Sequence, residues 1–266
     1  MAFDLDDTLL TKDCTISPAT VETLRLAAQN GIYVVLCSGR MEDGIMPFAR
    51  QLGLEGTEAG RYIIAINGCS IYDLQQKKEI YLKNMDSEIL LRADEEATRA
   101  GFYTEVYSPD IIFYPEETKW TKLDVDLCKV KGQVVENYRQ FLKDGKFPKM
   151  LIAGEPDRIK ILEGKLKEMF GKDAVVFTSK PFFLEILPPN CGKGEAILWL
   201  AEKLGIKKEQ TAAFGDSMND ESMIRLCGHG IAMCNGLEAI REMADYVTEQ
   251  DNNHDGAADF IRKFIL

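Results

Sequence analysis

Four polar segments of the sequence carry side chains that can handle phosphate or a metal ion. The first is Asp4-Leu5-Asp6-Asp7-Thr8, with carboxylates at three of its five positions. If the chain stays extended beyond the first strand, Asp4 and Asp6 point the same way and their carboxylates lie side by side. Such a pair raises the pKa of one carboxyl group unless a divalent cation binds it, and hard oxygen ligands suit magnesium. A solvated acidic turn would contain the same residues.

The other three segments supply an anion site, a positive charge and a further carboxylate. Ser38-Gly39-Arg40 combines a hydroxyl with adjacent backbone N–H groups that can hold an anion, although a plain turn has the same composition. Lys193 lies at a predicted helix start, where the helix dipole disfavours lysine unless an anion is near. The last segment is Gly215-Asp216-Ser217-Met218-Asn219-Asp220, in which Asp216 or Asn219 could also serve only as a helix cap.

These segments follow hydrophobic runs that alternate with helical patterns. The first strand ends near Phe3, and strands are predicted at 32–37, 62–66, 211–214 and 230–233. Helices are predicted from Pro18 to about Asn30, with Ser17 as N-cap, and at 193–204, from 219 and at 257–264. This alternation predicts an α/β fold with a doubly wound parallel sheet, in which ligands bind beyond the carboxyl ends of the strands. All four polar segments fall at such ends and together supply the parts that phosphoryl transfer requires.

The middle of the chain has a different pattern. A hairpin is predicted from 102–107 through a turn at Ser108-Pro109-Asp110 to 111–114. Helices at about 87–100 and 155–170 flank strands at 149–152, 175–178 and 182–187. We therefore expect an inserted α+β module at residues 81–187, between the two parts of a parallel domain at 1–80 and 188–266.

Composition excludes several other classes of protein. The 266 residues are 45% hydrophobic and 28% charged, as in a globular protein, and the net charge of −11 without a Lys/Arg run argues against nucleic acid as a partner. No uncharged apolar stretch reaches the length of a membrane-spanning helix, and the first residues do not resemble a signal peptide. The seven cysteines are scattered and never spaced as C-x-x-C, which argues against a disulfide scaffold or a zinc site. We expect a cytoplasmic protein.

In order, the four segments match the motifs of the haloacid dehalogenase superfamily of phosphotransferases, which the chain resembles. More narrowly, it resembles the Cof-type sugar phosphatases, and the matching segments are Ser38-Gly39-Arg40, Ala65-Ile66-Asn67-Gly68, Glu185-Ile186, Lys193-Gly194 and Gly230-Ile231-Ala232-Met233. The resemblance spans the whole chain and is weakest in the inserted module. Asp7 stands where the family often has Gly, and only three residues precede Asp4, fewer than is usual in the family.

The resemblance implies a Rossmann-like core with an α/β cap inserted between the second and third motifs. It implies that Asp4 is the nucleophile, forming an aspartyl-phosphate, and that Asp6 acts first as general acid and then as base. The remaining implied roles are Mg²⁺ binding by Asp4, the Asp6 carbonyl and Asp216, phosphoryl binding by Leu5, Ser38, Gly39, Lys193 and Asn219, and support of these ligands by Asp220 and Thr8. Arg40 would either reach the substrate or pair with an acidic neighbour.

The cap would close over the core and select the substrate. Its aromatic residues either line that pocket or belong to an ordinary sheet core; they are Tyr103, Tyr107, Phe113 and Tyr114.

The sequence thus predicts a magnesium-dependent phosphatase that acts on a small phosphorylated metabolite, most commonly a sugar phosphate, and binds neither nucleic acid nor membrane. A phosphomutase, or a phosphatase for a nucleotide or for a cofactor such as FMN or pyridoxal phosphate, is an alternative on the same core, because the motif residues contact only the phosphate. A receiver-like signalling module also gathers Asp, Ser/Thr and Lys at strand ends. Such modules lack the Asp-x-Asp-x-Thr pattern, however, and are about half as long.

Overall fold

The protein is described by a computed structural model that covers residues 1–108 and 111–266. Its strands are β1 (Ala2–Phe3), β2 (Val35–Cys37), β3 (Tyr62–Ala65), β4 (Ser70–Asp73), β5 (Lys78–Leu82), β6 (Thr104–Tyr107), β7 (Ile111–Tyr114), β8 (Lys131–Val134), β9 (Met150–Ala153), β10 (Val175–Lys180), β11 (Phe183–Leu187), β12 (Ala212–Gly215), β13 (His229–Ala232) and β14 (Tyr246–Val247).

Helices connect most of these strands. They are α1 (Pro18–Gln29), α2 (Glu42–Leu52), α3 (Ser87–Arg99), α4 (Lys119–Cys128), α5 (Tyr138–Asp144), α6 (Pro156–Phe170), α7 (Lys193–Lys203), α8 (Glu221–Leu226), α9 (Glu238–Met243) and α10 (Gly256–Phe264). Short helical turns lie at Leu5–Leu9, Ile66–Gly68, Lys208–Gln210, Met218–Asp220 and Asn252–His254.

The chain divides into two compact units, Met1–Tyr81 with Gly192–Leu266, and Leu82–Cys191. The first unit contains a sheet with the strand order β14-β13-β12-β1-β2-β3-β4-β5. From β14 to β3 all neighbouring strands are parallel, and β4 then pairs antiparallel with β3. The predicted α/β class with a parallel-rich sheet is thus confirmed. Because β1 lies between β2 and β12, the residues that follow these three strands meet at one edge of the sheet.

Local sequence explains where the first elements begin and end. Helix α1 begins at Pro18, and the Ser17 hydroxyl accepts a hydrogen bond from the Thr20 N–H at 3.1 Å. It ends before Gly31, which has a φ of +81°. Strand β2 is shorter than the predicted 32–37, because the Ile32 N–H still bonds the Ala27 carbonyl of the helix end.

The second unit contains a sheet with the order β10-β11-β9-β6-β7-β8. Side chains of α3, α5 and α6 form an apolar core with one face of this sheet, as Leu90, Leu142, Ile159, Val106 and Ile152 show. The sequence places the insert at 81–187, and the compact unit spans 82–191. The predicted strands at 111–114, 149–152 and 182–187 have counterparts in β7, β9 and β11 within two residues. Pro109 and Asp110 of the predicted turn lie outside the described residues.

Several elements of both units were not predicted. Strand β8 has the sequence Lys-Gly-Gln-Val with all four residues exposed, so no apolar alternation marks it. Helix α4 buries only Thr121 and Asp124, which are polar. The β4–β5 hairpin, α5, α9 and β14 were missed as well. In the part of the chain that the structure describes, no helix combines the length and the apolar character needed to cross a bilayer.

Candidate active site

Asp4 is the first residue after β1. Its N–H donates to the Phe214 carbonyl at 3.0 Å, which continues the pairing of β1 with β12, and the residue is 4% exposed. The chain then turns between Leu5 and Leu9: Asp6 is extended (φ −69°, ψ 128°), Asp7 is left-handed (φ 59°), and the Leu10 N–H closes the turn on the Leu5 carbonyl at 2.8 Å. Asp4 is extended as well (φ −65°, ψ 161°), and a side-by-side arrangement of the Asp4 and Asp6 carboxylates stays a prediction. The two carboxylates have different partners.

Lys193 is the partner of Asp4. It is the first residue of α7 and is fully buried, with Nζ at 2.5 Å from Asp4 Oδ1 and 2.6 Å from Asp220 Oδ1. A buried ammonium group is costly unless anions surround it. Burial by itself lowers the pKa of Lys193, but the carboxylates of Asp220 and Asp4 outweigh burial and raise the pKa above its ordinary value. Lys193 is therefore a permanent positive charge beside Asp4.

Asp216 and Asp220 bring the carboxylates of the fourth segment to the same place. Asp216 follows β12 and accepts a hydrogen bond from the Thr8 hydroxyl at 2.9 Å. Both oxygens of Asp220 are engaged: Oδ1 by Lys193, and Oδ2 by the N–H groups of Asp216 (2.9 Å) and Ser217 (3.0 Å). Asp220 is thus held by protein donors and fixes the loop that presents Asp216.

The three carboxylates of Asp4, Asp216 and Asp220 form a group that can hold a cation. One oxygen from each lies within 4.8 Å of the others, and all three residues are buried. The pKa of Asp216 is raised to about 7, mainly because the carboxyl group is buried and also because the negative charge of Asp220 is near. Burial likewise raises the pKa of Asp4 well above its ordinary value, against the opposing effect of Lys193. Three carboxylates around one ammonium group leave two negative charges when all are ionised, and a divalent cation would balance them.

Ser38 and Gly39 follow β2 and reach the same sheet edge. Ser38 is 1% exposed, and its hydroxyl accepts a hydrogen bond from the Arg40 N–H at 3.2 Å. The Ser38 carbonyl accepts from the N–H of Asn67, which follows β3, at 3.0 Å. Asn219 donates from Nδ2 to Asn67 Oδ1 at 3.1 Å. The second and fourth segments are thus connected through Asn67.

Arg40 forms a bidentate ion pair with Asp6. Arg40 Nη2 lies 2.6 Å from Asp6 Oδ1, and Nε lies 2.9 Å from Oδ2. The Asp6 side chain is 45% exposed and that of Arg40 is 21% exposed. Of the two possibilities that the sequence left for Arg40, a substrate ligand or a partner of an acidic neighbour, this geometry matches the second.

The aromatic residues of the predicted hairpin do not share one environment. Tyr107 and Tyr114 are buried, whereas Tyr103 is 39% exposed and bonds Glu116 at 2.6 Å. Phe113 packs against the apolar core that α3, α5 and α6 form with the sheet of the second unit. Phe113 pairs with Val106 and Tyr107 pairs with Ile112, so Phe113 lies on the opposite sheet face from Tyr107 and Tyr114.

Sequence reasoning missed two residues of the site. Asn67 appeared only within the matching segment Ala65-Ile66-Asn67-Gly68, and Ser217 only within the fourth segment, and neither residue was given a role. The Ser217 hydroxyl donates to Asn219 Oδ1 at 2.6 Å. The position of the Asn-Gly pair at the end of a parallel strand was the available signal for Asn67, since side chains at such ends face ligands.

Known proteins that match the chain share this architecture. A model of the haloacid dehalogenase-like hydrolase family matches residues 1–261. The crystal structure of a haloacid dehalogenase-like hydrolase from Bacteroides thetaiotaomicron is similar with a TM-score of 0.85 and 30% identity, covering 99% of this chain and 98% of that one.

Two curated relatives carry more specific names. A 5-amino-6-(5-phospho-D-ribitylamino)uracil phosphatase from Bacillus subtilis is 29% identical, covering 100% of this chain and 97% of its own length. An HMP-PP phosphatase from Serratia proteamaculans is 28% identical, covering 91% of this chain and 86% of its own length.

Proposed function

Because this chain belongs to the haloacid dehalogenase-like hydrolase family and is a phosphoric monoester hydrolase, we propose that it transfers the phosphoryl group of a small metabolite to Asp4 and then to water. The observation that carries the proposal is the arrangement of Lys193 against both Asp4 and Asp220 at the carboxyl edge of a parallel sheet. A nucleophilic carboxylate divides one displacement at phosphorus into two easier steps.

Asp4 is suited to the attack by its fixed position. Its backbone pairs with Phe214, and its Oδ1 is held by Lys193, so that little reorganisation is needed when a phosphate ester binds. The buried Lys193 ammonium group would stabilise the charge that develops on the transferred phosphoryl oxygens. Asp4 oxygen forms the bond to phosphorus, and the ester oxygen departs with the bonding pair.

The other donors of the edge would bind the phosphoryl oxygens. These are the Ser38 hydroxyl, the Gly39 and Leu5 N–H groups and the Asn219 amide. Each lies in a segment that follows β1, β2 or β12 of the first unit. Leu5 directly follows Asp4 and begins the turn at Leu5–Leu9, so its N–H belongs to the peptide unit next to the nucleophile. Fixed donors of this kind stabilise the transition state rather than the free substrate.

Asp6 would protonate the leaving oxygen and afterwards take a proton from the attacking water. The two hydrogen bonds from Arg40 orient the Asp6 carboxylate for these proton transfers. For the acid role, Asp6 must first turn from Arg40 and take up a proton. Its partial exposure leaves room for that movement.

The buried carboxylates of Asp4 and Asp216 suit Mg²⁺, which they would hold together with the Asp6 carbonyl. Bound there, it would neutralise charge on the phosphate and on the carboxylates. Asp220 holds the loop that carries Asp216, and Thr8 orients the Asp216 carboxylate through its hydrogen bond.

Sugar and sugar-alcohol phosphates are the substrate class that we propose. The B. subtilis relative is named for a substrate with a phosphorylated ribityl chain, which supports this class. A cytoplasmic location is proposed as well, because the cysteines are scattered along the sequence and never spaced as C-x-x-C, as in a protein of a reducing compartment.

The test of the function is release of phosphate from p-nitrophenyl phosphate with magnesium present. Asp4→Asn should lose turnover by at least about 10³-fold, whereas Asp13→Asn, at an exposed aspartate, should keep the wild-type rate. Excess EDTA should stop turnover, and added Mg²⁺ should restore it. Undiminished turnover by Asp4→Asn would rule out Asp4 as the nucleophile.

A further inference from the structure

The turn that follows β3 has an unusual backbone conformation. Three consecutive residues have a positive φ, namely Ile66 (52°), Asn67 (52°) and Gly68 (93°). Asn and Gly tolerate this region, but a β-branched residue such as Ile rarely adopts it. A Cβ on Gly68 would lie 2.1 Å from the Gly192 carbonyl oxygen, next to Lys193. Strain of this kind is retained where the surrounding structure requires the conformation, and functional sites are the commonest places.

This turn holds the loop that carries Ser38 and Gly39. The Asn67 N–H donates to the Ser38 carbonyl at 3.0 Å, and the Ile66 N–H donates to the Arg40 carbonyl at 2.9 Å. The Asn67 side chain also fills the space beside Gly39, where a Cβ would lie only 2.9 Å from Asn67 Oδ1. Gly39 and Asn67 therefore fit against each other closely.

The same side chain determines the orientation of Asn219. Asn219 donates one amide N–H to Asn67 Oδ1 at 3.1 Å, and its Oδ1 accepts from the Ser217 hydroxyl at 2.6 Å. An amide group has two N–H donors. With the oxygen held by Ser217 and one N–H by Asn67, the direction of the second N–H is fixed.

We propose that Asn67 is a positioning residue of the phosphoryl pocket, which sets the spacing between the Gly39 N–H and the second N–H of Asn219. The inference rests on the proposed function, because it assigns those two donors to the phosphoryl oxygens. Asn67 is 1% exposed, and the contacts of its side chain with Gly39 and Asn219 carry this role. The strained turn at Ile66–Gly68 places the Asn67 side chain between Gly39 and Asn219.

The first test is Asn67→Gly, which removes the side chain and keeps a residue that tolerates the positive φ. We expect the KM for p-nitrophenyl phosphate and the Kd for inorganic phosphate, measured by calorimetry, each to rise about fivefold to tenfold, with a smaller change in kcat. Lys129→Gly is the matched control, since it also removes a side chain at a left-handed residue (φ 56°), in the second unit. It should leave both constants unchanged.

A double-mutant cycle separates positioning from a general loss of structure. If Asn67 acts through Asn219, the variant carrying both Asn67→Gly and Asn219→Ala should bind phosphate no more weakly than Asn219→Ala alone. Independent, additive losses would overturn the proposal, as would a wild-type Kd in Asn67→Gly.

Gly39→Ala provides a second variant if Asn67→Gly does not fold. Its added Cβ would displace the Asn67 side chain and should raise KM when it is the only substitution; an unchanged KM would contradict the proposal.

Failure of the proposed function would give a different result. In that case the wild type hydrolyses no phosphomonoester, while calorimetry still reports whether phosphate binding depends on Asn67. A wild type that binds no phosphate would overturn both proposals.

Discussion

Each of the two compact units buries a lysine among three carboxylates. In the first unit Lys193 contacts Asp4 and Asp220 beside Asp216. In the second unit Lys149 lies 3.2 Å from Glu185, on a sheet face that also carries Glu105, with Asp124 of α4 nearby. Each cluster therefore combines one lysine with three carboxyl groups.

The clusters differ in how the carboxylates are arranged. Among the described residues, the Asp4, Asp216 and Asp220 group alone has one oxygen from each carboxylate within 4.8 Å of the others. The cluster around Lys149 includes Tyr107. The centroid of the Tyr107 ring lies 4.3 Å from Lys149 Nζ, and the Tyr107 hydroxyl donates to Asp124 at 2.5 Å. Burial raises the pKa of Glu105 well above its ordinary value, and among the described residues Glu105 Oε2 finds no hydrogen-bond partner. We infer that the first cluster balances its charge with a cation and the second with protons.

Replacement of the two lysines should give the largest contrast. Lys193→Met removes the charge that we assign to the phosphoryl oxygens and should lower kcat for p-nitrophenyl phosphate about 10³-fold. Lys149→Met should change kcat by less than about threefold at a temperature where circular dichroism shows a folded protein. Equal losses in the two variants would mean that the Lys149 cluster also takes part in catalysis.

The stability of the second unit should depend on its ion pair. Lys149→Met removes the ammonium group beside the buried Glu185 and should lower the free energy of unfolding by about 3–5 kcal/mol, as measured in urea. The double variant with Glu185→Gln should recover part of this loss, because it removes the buried negative charge as well. A loss below about 1 kcal/mol in Lys149→Met would show that the pair is not an important contact.

Magnesium should stabilise the protein in a pH-dependent way. Because the pKa of Asp216 is raised to about 7 in the metal-free protein, binding must displace a proton at low pH and becomes stronger as pH rises through that value. The rise in Tm caused by Mg²⁺ should therefore be larger at about pH 8 than at about pH 6. Asp216→Asn should abolish the rise, and Asp124→Asn should retain it.

Glu105→Gln should have the smallest effect. With its raised pKa, Glu105 binds a proton in the folded state over a pH range in which the unfolded chain has lost it, so wild-type stability falls as pH rises through that range. Glutamine has the shape of the neutral acid and should remove this part of the slope, with a change below about 1 kcal/mol at low pH. Strong destabilisation at low pH would indicate that Glu105 is ionised in the fold.

Sequence alone located the first cluster but not the second. Asp4, Ser38, Lys193 and Asp216 were predictable because each follows a strand or opens a helix in a parallel domain, where such ends converge on one edge. For Arg40 the sequence left two possibilities, because it does not show which group a long arginine side chain reaches, and only the structure identifies Asp6 as its partner.

The Lys149 cluster could not be predicted for a different reason. Glu105, Asp124, Lys149 and Glu185 come from four elements, and α4 was not recognised as a helix at all. Alternation identifies which face of a strand is apolar, but the registers that bring these polar residues together depend on the pairing of β6, β9 and β11. Asn67 was hidden in the same way, because an Asn-Gly pair indicates a turn and not the contacts made from it.

The central claim is that Asp4 carries the phosphoryl group, and chemical trapping tests it most directly. The Asp6→Asn variant should form the aspartyl-phosphate and hydrolyse it slowly, so that acid quenching after mixing with substrate and Mg²⁺ preserves it. Borohydride then reduces an acyl phosphate to an alcohol, and mass spectrometry of the N-terminal peptide should find homoserine at position 4. An unmodified Asp4, in a variant that still releases the leaving group in a first turnover, would contradict the account.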